Sequence, residues 1–228
     1  MGLPFGQLIV DGLAMGVVYV LLASGFNLII STPKILFIAY GEFYMLGAYI
    51  LWGLAHELEF PFIVALCLAI LATAILGGIV YRLIFQRIEG HFMAIIVAAI
   101  GLMMLMSQAT MVGFGTESKS LGSVFTGMIN IGNLHISVER AVLIILTLAV
   151  LVGLHLLLQK TRMGRAMRAV SFNADVAALQ GANSNMINLA TMVIGCALAG
   201  FAGGILTPVF AIHPTMGAIT FVILLVVM

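Results

Sequence analysis

Stretches of about twenty apolar residues, each long enough to cross a hydrocarbon core as a helix, follow one another along this chain with polar breaks between them. They run over about 12–30, 35–54, 61–85, 92–112, 140–158 and 189–212, and 216–228 begins another. A bilayer offers no water to a bare backbone, so each stretch must close its own hydrogen bonds as a helix. The pattern therefore predicts an all-α polytopic integral membrane bundle with six full spans and a partial seventh, organised as one domain over residues 1–228. Two of the breaks are long. The first, 113–139, is rich in Gly, Ser and Thr and reads as a solvated loop or a small cap. The second, 159–188, is a polar island that opens with the run KTRMGRAMRAV.

Charge gives the bundle an orientation. If the spans alternate, Lys34, Arg82, Arg87, Lys160, Arg162, Arg165 and Arg168 fall on one side, seven of the nine cations, and only Lys119 and Arg140 fall on the other. Cytoplasmic connections carry the excess of Lys and Arg. The split places 159–188 in the cytosol and the N-terminus outside. Composition agrees: 63% of the residues are hydrophobic and 7% charged, against about 25% charged in an ordinary soluble domain, so the natural surroundings are lipid. A formal net charge of +1 speaks against a nucleic-acid partner. Cys67 and Cys196 lie in separate apolar stretches and read as small packing residues.

No motif for covalent chemistry stands out. The nearest approach to a phosphate loop, GFGTESKS from Gly113, has Ser118 where the second glycine is required for close backbone approach. The five histidines are scattered over different connections and spans and suggest no metal site. The reading is a protein that is not an enzyme and binds no cofactor. If ATP drives it, a separate subunit must bind the nucleotide.

Two places carry functional signal. Within the island, the pattern from Arg165 to Val170 predicts a short helix with Met167 and Val170 on one face, broken by Ser171, Phe172 and Asn173. Asn173 can cap a second short helix from Ala174 to Gln180, with Asp175 in its first turn, and Gly181 supplies a stop. Two such helices exposing Val176 and Leu179 beside cations make a knob that fits a groove on a cytosolic partner; the alternative is a basic loop that only fixes topology. The other place is Glu42, an acid inside an apolar stretch, where a charge costs about 2.5–3.5 kcal/mol on the insertion scale and ordinarily faces the bundle interior or an aqueous path. Tyr40, Gly41 and Tyr44 around it would line such a path. Alternatively, Glu42 pairs with a backbone group or with Lys34. Small residues also recur at four-residue spacing, Gly12 and Gly16 in one stretch and Gly195, Ala199 and Gly203 in another, which predicts close helix packing.

At these two places the chain resembles the permease subunits of branched-chain amino acid ABC importers. The likeness starts with DGLAMGVVYVLLASGFNLII, continues in GEFYMLGAY from Gly41, and returns in TRMGRAMRAV with Ala177 and Gly181. The resemblance implies that Arg162, Gly164, Arg165, Arg168, Asp175, Ala177 and Gly181 belong to a segment that docks on an ABC ATPase. It also implies a homologous second permease, a soluble substrate-binding protein and residence in the cytoplasmic (inner) membrane of a bacterium or archaeon, surrounded by lipid. Family members continue through further spans, so the likeness implies a chain lacking the C-terminal ones. Where the family has Asn-Phe-Ala-His, this chain has Phe37, Ile38, Ala39 and Tyr40, which leaves the solute open between branched-chain amino acids and amides such as urea. A rival from another class is a secondary carrier or channel for a small polar solute with Glu42 as its ion site.

Overall fold

The computed structural model describes residues 5–122, 128–131, 134–181 and 183–227. Helices α1 (Phe5–Ser31), α2 (Tyr40–His56), α3 (Phe62–Leu83), α4 (Phe92–Phe114) and α5 (Val138–Lys160) precede two short ones, α6 (Arg162–Phe172) and α7 (Ala174–Leu179). Then come α8 (Ser184–Leu206) and α9 (Met216–Val227). Five of them, α1, α3, α4, α5 and α8, are long and apolar enough to cross a membrane. The protein is an all-α, multi-pass membrane bundle, as its hydropathy predicts. One β-hairpin, β1 (Met128–Ile131) against β2 (Leu134–Ser137), lies in the connection expected to be a loop.

The second expected span needs correction. Its apolar stretch opens near residue 35, but α2 starts at Tyr40 and has 17 residues. Pro33 is incompatible with a continuing helix, and Lys34 takes a positive φ of 55°. The residues that follow are extended or turned and still deeply packed: Ile35, Phe37 and Ala39 are buried, with the Phe37 ring set edge-on to Phe85 at 5.5 Å. Non-helical backbone survives at membrane depth where protein encloses it. Hydropathy averaged over the stretch cannot see this, because the side chains are apolar in either conformation. The sixth span shifts for a related reason. It begins at Ser184, inside the polar island, with Asn183 accepting a capping hydrogen bond from the Met186 N–H at 3.2 Å, and it ends at Leu206.

The α8 helix is the axis of the bundle, touching α1, α2, α3, α5, α6 and α7. Its glycines permit this. Gly203 lies so close to the Tyr44 carbonyl on α2 that a β-carbon would collide with it, and Gly47 meets the backbone of Gly200. On the opposite side Gly77 of α3 packs on Cys196. The stripe predicted on the later stretch is thus a packing seam. The earlier one is not: a β-carbon on Gly12 or Gly16 would meet nothing within 4 Å among the described residues, so this line of α1 is open there. Arg140 at the start of α5 pairs with Asp11 on α1, which brings the early parts of both helices side by side.

Candidate functional site

The polar island forms a knob built from α6 and α7. Thr161 caps α6 by accepting the Gly164 N–H at 3.0 Å and donates its hydroxyl to the Leu157 carbonyl at 2.6 Å. Gly164 is buried against the Leu157 and Leu158 carbonyls, where no side chain fits. The helix extends to Phe172, longer at both ends than the pattern from 165 to 170 suggested. Asn173 then caps α7 by accepting the Val176 N–H at 3.3 Å, and Gly181 takes a φ of +84°, the left-handed stop read from the sequence.

One face of this knob is glued to the bundle. Met167, Val170 and Ala177 form an apolar cluster with Leu28 near the end of α1 and Ile187 near the start of α8. The other face is open: Arg162, Arg165 and Arg168 are exposed, as are Phe172 (88%), Val176 (51%) and Leu179 (88%). The side chain of Asp175 lies outside the described residues. Gly164 and Ala177 therefore shape the knob, and the arginines with the three apolar side chains form its outer surface. Sequence reading missed Phe172 as a surface anchor by assigning it to a turn; continuing the helical period from Arg162 would have placed it in the helix. Beside the knob, Asn188 donates to Glu89 at 3.1 Å and joins α8 to the connection before α4.

The second place is the start of α2. Glu42 sits in its first turn, 1% exposed, and its Oε2 has no hydrogen-bond partner among the described residues. It makes no ion pair among the described residues, and Lys34 is exposed to the surroundings. Gly217 in the first turn of α9 lies against the carboxylate; a β-carbon there would stand 2.7 Å from Cδ. Two helix N-termini, each bearing partial positive charge, thus converge on one buried acid. Gly41 packs on the Gly217 carbonyl and Phe221, and Tyr40 donates to the Gly195 carbonyl at 3.3 Å with its ring 5.5 Å from Phe26. These contacts enclose Tyr40, Gly41 and Glu42 among α1, α8 and α9. Tyr44 instead lines a cavity of about 200 Å³ between α1, α2, α8 and α9, together with Tyr19 and Thr220, which the sequence did not single out. A tyrosine in the middle of an apolar stretch was the available signal for Tyr19.

A multi-pass bundle with a buried acid at two helix ends, a cavity between four helices and an exposed knob of cations and apolar side chains has the parts of a membrane transport subunit. The comparisons specify which. Residues 8–228 match the family described as branched-chain amino acid transport system / permease component, and the chain belongs to that family. It is 29% identical over 227 residues to the high-affinity branched-chain amino acid transport system permease protein BraD of Pseudomonas aeruginosa, covering 92% of this chain and 74% of BraD. With the corresponding permease protein LivH of Escherichia coli the identity is 27% over 230 residues, 94% of this chain and 75% of LivH. LivM of Salmonella typhimurium, a permease protein of the same kind of system, is 27% identical over 217 residues, 85% of this chain and 51% of LivM. No solved structure matches the chain significantly.

Proposed function

We propose that this chain is the transmembrane permease subunit of an ATP-driven importer of branched-chain amino acids in a bacterial or archaeal cytoplasmic membrane, and that it makes and breaks no covalent bonds itself. A soluble binding protein delivers the solute from outside, and ATPase subunits dock on the knob. The observation that carries this reading is the two-faced construction of α6 and α7. Met167, Val170 and Ala177 tie them to α1 and α8, while Phe172, Val176, Leu179 and three arginines are turned to water. A partner that pushes on the outer face moves the inner ends of two spans together, the coupling that a two-state bundle needs. The open line of Gly12 and Gly16 on α1 supports pairing with a second, homologous permease, since small residues let helices approach closely in lipid.

The test is reconstitution of the assembled complex in vesicles. Gly181→Cys should cross-link to a nucleotide-binding subunit, and leucine uptake should require ATP. Uptake that proceeds without ATP, with no cross-link, would remove the reading.

One observation favours the secondary carrier instead, namely the unpartnered buried carboxylate of Glu42. The two readings part on a single substitution. In the importer, Glu42→Gln should lower ATP-dependent uptake by about tenfold, about 1.4 kcal/mol on the rate, with normal expression. In a carrier it should abolish uptake driven by an ion gradient. Full activity of the variant would leave Glu42 a packing residue in both.

A further inference from the structure

Resting on the importer reading, we propose that the cavity between α1, α2, α8 and α9 is a transit site for the aliphatic side chain of the solute. Its lining includes Met15, Tyr19, Tyr44, Met216, Ile219 and Thr220. Among the described residues, no charged side chain lines it. The chemistry is thus alkyl surface with three hydroxyls, from Tyr19, Tyr44 and Thr220, and it suits a branched hydrocarbon chain whose polar end is met by neutral hydrogen-bonding groups.

Size agrees. A cavity of about 200 Å³ is smaller than the roughly 300–1,000 Å³ of sites for drug-sized ligands, and compares with the roughly 150 Å³ that suffices for benzene. Four carbons fit with room to spare. Met15 and Met216 have flexible, polarizable side chains that can re-pack around valine-, leucine- or isoleucine-shaped groups. A transport path also needs sites that release what they bind, and the lack of a fixed lining charge keeps this one weak.

Its walls are held by separate sets of contacts. The segment after α8 is pinned on the outer side by a reciprocal pair of backbone hydrogen bonds, Lys119 N–H to the Ile212 carbonyl at 3.0 Å and Ile212 N–H to the Lys119 carbonyl at 2.8 Å. Ile212 itself packs with Met45, Ala48, Tyr49 and Trp52. The α9 wall packs on α2 and α1, with the Gly217 carbonyl against Gly41.

Thiol protection in the assembled complex tests the site. Ala211, exposed and part of the lining, is replaced as Ala211→Cys in a Cys67→Ser background, since Cys196 is buried. Val112→Cys, at a highly exposed position late in α4, serves as the control. Labelling by a methanethiosulfonate at 211 should slow about tenfold when leucine stands at roughly ten times its half-protecting concentration. Glycine should protect far less, and position 112 should be unaffected. Equal rates at 211 with and without leucine, or equal slowing at 112, would overturn the site. Leucine import by the wild-type complex is measured separately. Import without protection removes the site and leaves the importer standing; protection without ATP-dependent import keeps a leucine site and removes the importer.

Discussion

Gly203→Leu should leave almost no folded protein, whereas Gly153→Leu should be silent. The β-carbon of any residue at 203 would run into the Tyr44 carbonyl and crowd the Ala48 N–H. Both obstacles are backbone, so relief requires α2 and α8 to separate along a seam that Gly47 and Gly200 share. Overpacking a core with side chains in the way costs about 1–3 kcal/mol; with backbone in the way we expect at least about 3 kcal/mol, a large part of the 5–15 kcal/mol that holds a typical domain together. Gly153 on α5 has open space where its β-carbon would go, so added hydrocarbon there meets lipid. The measurement is the yield of monodisperse protein in mild detergent and its thermal midpoint. Similar losses for both variants would mean that α8 is not the packing axis.

Arg165→Glu with Arg168→Glu should uncouple transport from hydrolysis. Both side chains are exposed on the outer face of α6, while the face that binds the bundle is made of Met167 and Val170. Insertion and folding should therefore be unchanged. A docking surface that receives cations is expected to be acidic, and placing like charges together costs several kcal/mol, so uptake should drop about a hundredfold. ATP turnover by the associated subunits should continue at its unstimulated rate. The quantity to follow is solute moved per ATP hydrolysed, with membrane abundance as the control. A ratio equal to wild type would take the arginines out of the coupling surface and leave them as topology determinants only.

How much of this was readable beforehand varies by element. The spans that became α3, α4 and α5 were visible with bounds within about two residues, because a long apolar run in lipid has one solution and the helix takes it. The caps at Asn173 and Gly181 were also visible, because a side-chain acceptor at a helix start and a left-handed residue at its end are local matters. The start of α2 was not. Residues 35–39 are as apolar as the helix they precede, and they stay non-helical because Phe85 and the surrounding helices bury them. Likewise Gly12, Gly16 and Gly203 obey one spacing rule, yet among the described residues only Gly203 of the three finds a close neighbour.

The sequence by itself determined that the chain lives in a membrane and where a basic surface on short, capped helices emerges, since hydropathy, charge and capping depend on residues near one another along the backbone. Tertiary structure alone decided that Glu42 meets Gly217 where two helices begin, that Tyr19, Tyr44 and Thr220 share one cavity, and which small residues became a seam. Those outcomes depend on which helices lie side by side, and residues as distant as Tyr40 and Gly195 learn of each other only once the bundle has closed.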